Sequence, residues 1–294
     1  MQDTREFRVQ VGDDELFVVE WPGTSDPILL LHATGFHSRC WNQVVARLPG
    51  QHVYAVDLRF HGASDDTGEV GWTLLAEDIR ELIELLDLRN LVGVGHSIGG
   101  HLIARAAAAL PERFKQLVLV DPVIMSPDIY ARMHEFVEGI NPADHPVSRR
   151  KNQWRDANQM YDRFRGREPF ASWRPEVLRD YCDYALRPVT DADYLQLACD
   201  PINEAAIYLN QAGNDIIHEE LSLINTPTTL LRAPPGKPGV TDLSNSPTWQ
   251  GLAKAMPCCR EIYLPDMDHF IPMRAPELVA EYIQQAQNNL WRQR

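Results

Sequence analysis

The 294-residue sequence contains no apolar run of the length a membrane span requires, and residues 1–6 carry charge where a secretory leader would need an apolar stretch. Both absences lead us to expect a cytoplasmic chain with no membrane partner. Positive charge is in short supply: 28 Lys and Arg face 41 Asp and Glu, a formal net charge of −13. That balance repels phosphate backbones, and with no local block of basic residues it excludes nucleic acid as an expected ligand. Cysteine is sparse. The five present (Cys40, Cys182, Cys199, Cys258 and Cys259) are an odd number without metal-ligand spacing, so they read as free thiols in a reducing compartment, not as a disulfide framework or a zinc site. Internal repeats and low-complexity tracts are also lacking.

What is present suits a folded globular chain. Hydrophobic residues make up 44% and charged residues 23%, far from the signature of disorder. The length suits one large domain or one domain carrying an insertion, since domains commonly run to roughly 100–200 residues. Residues 7–11 and 16–20 read as two short strands joined by a turn at Gly12-Asp13-Asp14. The runs 27–32 and 52–57 are continuously apolar, as strands buried on both faces of a parallel sheet must be. Between residues 72 and 88 Leu74, Leu75, Ile79, Leu82, Ile83, Leu85 and Leu86 recur at helical spacing, with acidic residues opposite, which predicts an amphipathic crossover helix.

A strand at 91–95, a small-residue helix at 99–110 and a buried strand at 116–121 continue the alternation. Repeated strand–helix–strand units require right-handed crossovers, with active residues at the carboxyl ends of the strands. The expected architecture is therefore an α/β, doubly wound, mostly parallel sheet. From about residue 123 to 225 aromatic residues (Trp154, Tyr161, Phe164, Phe170, Trp173, Tyr181, Tyr184, Tyr208) mix with many charges and helical patterns, which we read as an inserted helical cap on a core formed by 1–122 and 226–294. Strands at 228–232 and 261–264 and a helix near 277–290 complete the core.

Gly95-His96-Ser97-Ile98-Gly99-Gly100 falls where an apolar strand gives way to a small-residue helix, the context in which G-x-S-x-G forms a nucleophile elbow. A serine on so sharp a turn needs small neighbours, and Gly95 and Gly99 supply them. Four separated segments then make the chain resemble the α/β-hydrolase superfamily: GHSIGG at 95–100, LLLHATGF at 29–36, DLRFHGAS at 57–64, and DHFIPMRAPELVAEYI from Asp268. The likeness covers nearly all of the chain outside the cap.

The resemblance implies a serine hydrolase. His269, after the last strand, stands where this fold supplies the general base, whereas His32, His61, His96 and His101 suit structural roles in loops and at the elbow. The oxyanion is expected on the backbone N–H of Ile98 and, from the loop after the third strand, that of Thr34. Because Ala33 replaces the usual glycine and Gly35 follows directly after Thr34, Ala33 or Gly35 are alternatives to Thr34. The usual place for the triad acid, 233–240, holds no carboxylate. Asp121, at the end of the strand 116–120, is the first choice and Asp242 the alternative; Asp266 and Asp268 lie too near the histidine in sequence. No metal or cofactor is expected.

The implied activity is cleavage of a small or medium carboxylic ester, with cap aromatics walling the acyl pocket or simply packing the cap helices. Two other readings use the same scaffold: a carbon–carbon bond hydrolase or perhydrolase with the same triad, and a ligand receptor with negligible turnover. A serine at the elbow disfavours epoxide hydrolysis and hydrolytic dehalogenation, which need an aspartate there.

Overall fold

The computed structural model describes residues 4–236 and 244–292. Its centre is an eight-stranded sheet. Strands β1 (Arg5–Val11) and β2 (Asp14–Trp21) form an antiparallel hairpin in which Val11 faces Asp14, and β2 runs antiparallel to β4 (Val53–Val56). From there every pairing is parallel: β4 with β3 (Ile28–Leu31), β3 with β5 (Leu91–His96), β5 with β6 (Phe114–Val120), β6 with β10 (Thr228–Arg232), and β10 with β11 (Cys259–Tyr263). The order β1-β2-β4-β3-β5-β6-β10-β11 reverses direction of winding next to β3, as a doubly wound sheet does.

Why β3 and the second half of β6 are apolar at successive positions is visible in their packing. Side chains alternate between the faces of a strand. In β3, Leu29 and Leu31 join one core while Ile28 and Leu30 join the other; in β6, Leu117 and Leu119 separate from Val118 and Val120 in the same manner. One core is closed by α2 (Trp72–Leu85) and α3 (Ile98–Ala109). The opposite core is closed by α1 (Asn42–Val45) and α11 (Pro276–Gln287), which buries Val279, Ile283 and Ala286. In α2, Leu75, Ile79, Leu82 and Ile83 face inward as the spacing predicts, but the acidic face is not wholly solvated. Asp78 is buried, where it accepts from Arg59 Nε at 3.0 Å.

The segment between β6 and β10 carries α4 (Pro127–Val137), α5 (Ala157–Phe164), α6 (Pro175–Tyr184), α7 (Pro201–Leu209) and α8 (Ile217–Leu221). It is not purely helical. Gln153–Trp154 (β7), Leu186–Pro188 (β8) and Leu195–Leu197 (β9) make a small antiparallel sheet in the order β7-β9-β8. Strands of two or three residues are too short to show an alternation in sequence. The segment also divides in its packing. Trp154, Met160, Trp173, Val177, Tyr181 and Leu197 form a third apolar cluster, whereas Ile207, Ile217, Leu221 and Ile224 join the core beneath α2 and α3. Two short helices, α9 (Leu252–Ala255) and α10 (Ile271–Arg274), complete the chain.

Candidate active site

Ser97 links β5 to α3 with φ 58° and ψ −121°, a conformation that L residues adopt only where the surroundings enforce it. The surroundings do. A Cβ on Gly95 would lie 2.1 Å from the carbonyl oxygen of Gly99, and one on Gly99 would lie 2.3 Å from that of Leu31. The Ser97 backbone is also tied to β6, its N–H donating to Val120 at 3.1 Å and its carbonyl accepting from Val123 at 3.0 Å. Thus β5, β6 and the first turn of α3 together impose the strained turn.

His269 follows β11 on a loop held at both its backbone groups. Its N–H donates to the carbonyl of Ser244 at 2.8 Å, and its carbonyl accepts from His96 Nε2 at 2.8 Å. The imidazole Nδ1 lies 2.7 Å from Oδ2 of Asp121. Since a carboxylate only accepts, Nδ1 carries a proton, and in the neutral ring the lone pair then sits on Nε2.

Asp121 is fully buried and stands just past β6 at φ 44°. Its second oxygen accepts from the N–H of Ala233 at 3.0 Å and from Ser246 Oγ at 2.6 Å, while Thr248 Oγ1, 3.2 Å away, makes its shorter bond at 2.7 Å to the carbonyl of Pro122. Such a set of donors compensates burial of an ionised carboxyl. The alternative, Asp242, lies outside the described residues. Asp268 is engaged locally, accepting from the Phe270 N–H at 2.9 Å and pairing with Arg274 at 3.2 Å. Nothing in the sequence pointed to Ser246 and Thr248, because hydroxyls in an irregular loop form no pattern until the chain folds.

Of the three N–H groups considered on the loop after β3, that of Gly35 is engaged, donating to His61 Nε2 at 3.0 Å. Among the described residues no acceptor is bonded to the N–H of Thr34. Ile98 is the first residue of α3, so its N–H has no acceptor within the helix. Two of the other histidines are engaged by backbone carbonyls. His96 supports the His269 loop, and His101 Nδ1 donates to the carbonyl of Val123 at 3.1 Å. Burial lowers the pKa of both, that of His101 to about 3.

Ser97 and His269 are both buried. Phe36, two residues past Thr34, meets Trp173 at 5.5 Å and Tyr181 at 5.4 Å between ring centroids, and Phe270, next to His269, meets Trp173 at 5.5 Å. Aromatics of the segment between β6 and β10 therefore pack on Phe36 and Phe270. A cleft of about 470 Å3 opens to one side, between Glu6, Arg39 and Asp65 of the core and Tyr184 and Arg187 of the cap; neither Ser97 nor His269 lines it. Among the described residues no group of His, Cys, Asp and Glu could hold a metal ion, the five cysteines are free thiols, and no helix is long and apolar enough to cross a membrane.

A strained serine between glycines and a histidine–aspartate pair, all past the carboxyl ends of one parallel sheet, define a class, and the sequence agrees with it: residues 28–282 match the alpha/beta hydrolase family, to which the chain belongs. The chain is 27% identical over 273 residues to Lipase LipV of Mycobacterium tuberculosis, spanning 89% of this chain and 94% of that protein. Similar solved folds include E-2-(acetamidomethylene)succinate hydrolase, with a TM-score of 0.75 and 20% identity over 97% of this chain and 100% of that one. The thioesterase domain from the curacin biosynthetic pathway has a TM-score of 0.72 and 20% identity, over 96% and 99% of the two chains. The family and the lipase relative support hydrolase activity.

Proposed function

We propose that the protein cleaves a small or medium carboxylic ester through an acyl-enzyme on Ser97. His269 Nε2 takes the hydroxyl proton as Ser97 Oγ attacks the carbonyl carbon. The resulting oxyanion rests on the N–H groups of Thr34 and Ile98. Collapse expels the alcohol, which leaves with the proton from His269, and water activated by the same imidazole then releases the acid and restores the serine. Every proton is accounted for without a metal or organic cofactor. Asp121 holds the imidazole in the tautomer that leaves Nε2 basic.

The observation that carries this reading is the 2.7 Å contact from His269 Nδ1 to Asp121, in a chain whose elbow serine has its strained backbone enforced by Gly95 and Gly99. Similarity to a lipase along almost the whole chain supports an ester as the substrate class.

The test is labelling with a fluorophosphonate together with turnover of short nitrophenyl esters. Wild type should label at Ser97 and turn over, while Ser97→Ala should keep its fold and lose at least about 1,000-fold in kcat. Activity retained in Ser97→Ala would remove Ser97 from its role, and labelling without turnover would favour a receptor.

A further inference from the structure

Two buried histidines that take no part in the proposed cycle, His32 and His61, lie against the loop that bears Thr34. The N–H of Leu58 donates to His32 Nε2 at 3.0 Å, so that nitrogen must carry the lone pair. His32 Nδ1 is then protonated and donates to the carbonyl oxygen of Ala33 at 2.7 Å. His61 has the same tautomer for the same reason: its Nε2 accepts from Gly35, and its Nδ1–H donates to the Arg59 carbonyl at 3.0 Å. Burial lowers the pKa of both rings, that of His61 to about 4, which keeps them neutral near neutral pH.

What they hold is specific. The carbonyl of Ala33 and the N–H of Thr34 belong to one planar trans peptide, so they point in opposite directions and fixing one aims the other. His32 fixes that carbonyl, assisted by the Phe36 N–H at 3.1 Å. The following peptide, made of the Thr34 carbonyl and the Gly35 N–H, is fixed by His61. Both peptide planes flanking the Thr34 Cα are thereby set by imidazoles from two separate sequence motifs. A hydrogen bond into the Ala33 carbonyl also polarises the Thr34 N–H as a donor.

We infer that His32 and His61 are positioning residues that aim the Thr34 N–H at the oxyanion of the transition state. The inference rests on the proposed role of Thr34. It differs from a purely structural role, in which His32 would matter for tying the loop to Leu58.

Side-chain amides separate the two roles, because Asn places its polar atoms near the imidazole Nδ1 position and Gln near Nε2. At position 32 the group that matters is the Nδ1 donor, so His32→Asn should stay within about threefold of wild-type kcat while His32→Gln falls at least tenfold. That loss lies below the roughly 100- to 1,000-fold effect of removing an oxyanion donor outright. At position 61 the group that matters is the Nε2 acceptor, and the order should reverse, with His61→Gln above His61→Asn. Rates are taken per fluorophosphonate-titrated site, alongside Tm for each variant.

Affinity for phenylboronic acid gives a second readout without turnover. The Ser97 oxygen donates its lone pair to boron, its proton passes to His269, and a boron hydroxyl occupies the oxyanion position. Its Kd should rise in the same crossed order. An uncrossed order, or losses that simply follow Tm, would overturn the inference. Wild type that forms no boronate adduct and turns over no ester would end the proposed function and this inference with it.

Discussion

The imidazole of His269 and the carboxylate of Asp121 meet at 2.7 Å although 148 positions separate them in the chain. Each is delivered by the end of a different strand, and β10 lies between those strands in the sheet. The Ala33–Thr34 loop, Ser97, Asp121 and His269 thus stand at the same edge, past the carboxyl ends of β3, β5, β6 and β11, which is where open parallel sheets present their ligand-facing residues.

Asp121→Asn should lower ester kcat by roughly 100- to 10,000-fold, since an amide can offer its own N–H to Nδ1 and favour the wrong imidazole tautomer. Because Ala233 and Ser246 also donate to this side chain, Asp121→Ala should in addition lower Tm. Steady-state kinetics and a thermal melt on both variants check this; wild-type kcat in Asp121→Asn would transfer the acid's role elsewhere, with Asp242 the next to substitute.

At the elbow, Gly95→Ala should be destabilising by at least about 2 kcal/mol, because the new methyl meets backbone atoms, not a side chain that could turn away. Gly139→Ala, at a position with open space around it but φ 73°, should cost only about 1 kcal/mol from backbone strain. Urea denaturation of the two variants should show this ranking.

Five buried histidines (His32, His37, His61, His96 and His101) have pKa values lowered chiefly by burial. The unfolded chain takes up protons at these rings below about pH 6.5, while the native state resists until its lower pKa. Stability contributed by neutral burial is therefore complete above pH 6.5 and is lost as pH falls; for His61 the window runs down to about 4. His61 alone accounts for a loss on the order of 3 kcal/mol across that window. Urea midpoints should drop steeply from pH 7 to pH 4.5, and replacing His101 by Gln should flatten the slope. A midpoint independent of pH over this range would contradict the burial argument.

Glu204 is buried in α7 and pairs with Arg150, which also donates to Tyr181 Oη at 3.0 Å. Burial raises the Glu204 pKa and Arg150 opposes the rise. Removing only the cation, as in Arg150→Met, should destabilise by about 3–5 kcal/mol by stranding the carboxyl. The double variant Arg150→Met/Glu204→Leu should recover more than half of that loss, measured by denaturant unfolding.

Sequence by itself was enough for the sheet and for the sharp turn at Ser97. Runs such as 28–31 and 91–95 hold no polar side chain, and only a strand covered on both faces needs that. Gly95 and Gly99 bracket Ser97 closely enough in the chain for local sterics to announce the turn. Likewise the spacing of Leu75, Ile79, Leu82 and Ile83 displays the face of α2. Such features are written in neighbours along the chain, where period and residue size carry the signal.

Only the tertiary structure brought the Asp121 carboxylate to His269, engaged the Gly35 N–H with His61, and ringed Asp121 with Ser246 and Thr248. It also turned Trp173 and Tyr181 onto Phe36 and formed the short strands of the inserted segment. Each of these joins residues far apart in sequence through single contacts of about 3 Å to 6 Å, which leave no periodic trace. Their geometry follows from how the strand ends and the cap converge, and that convergence exists only once both cores have closed on the sheet.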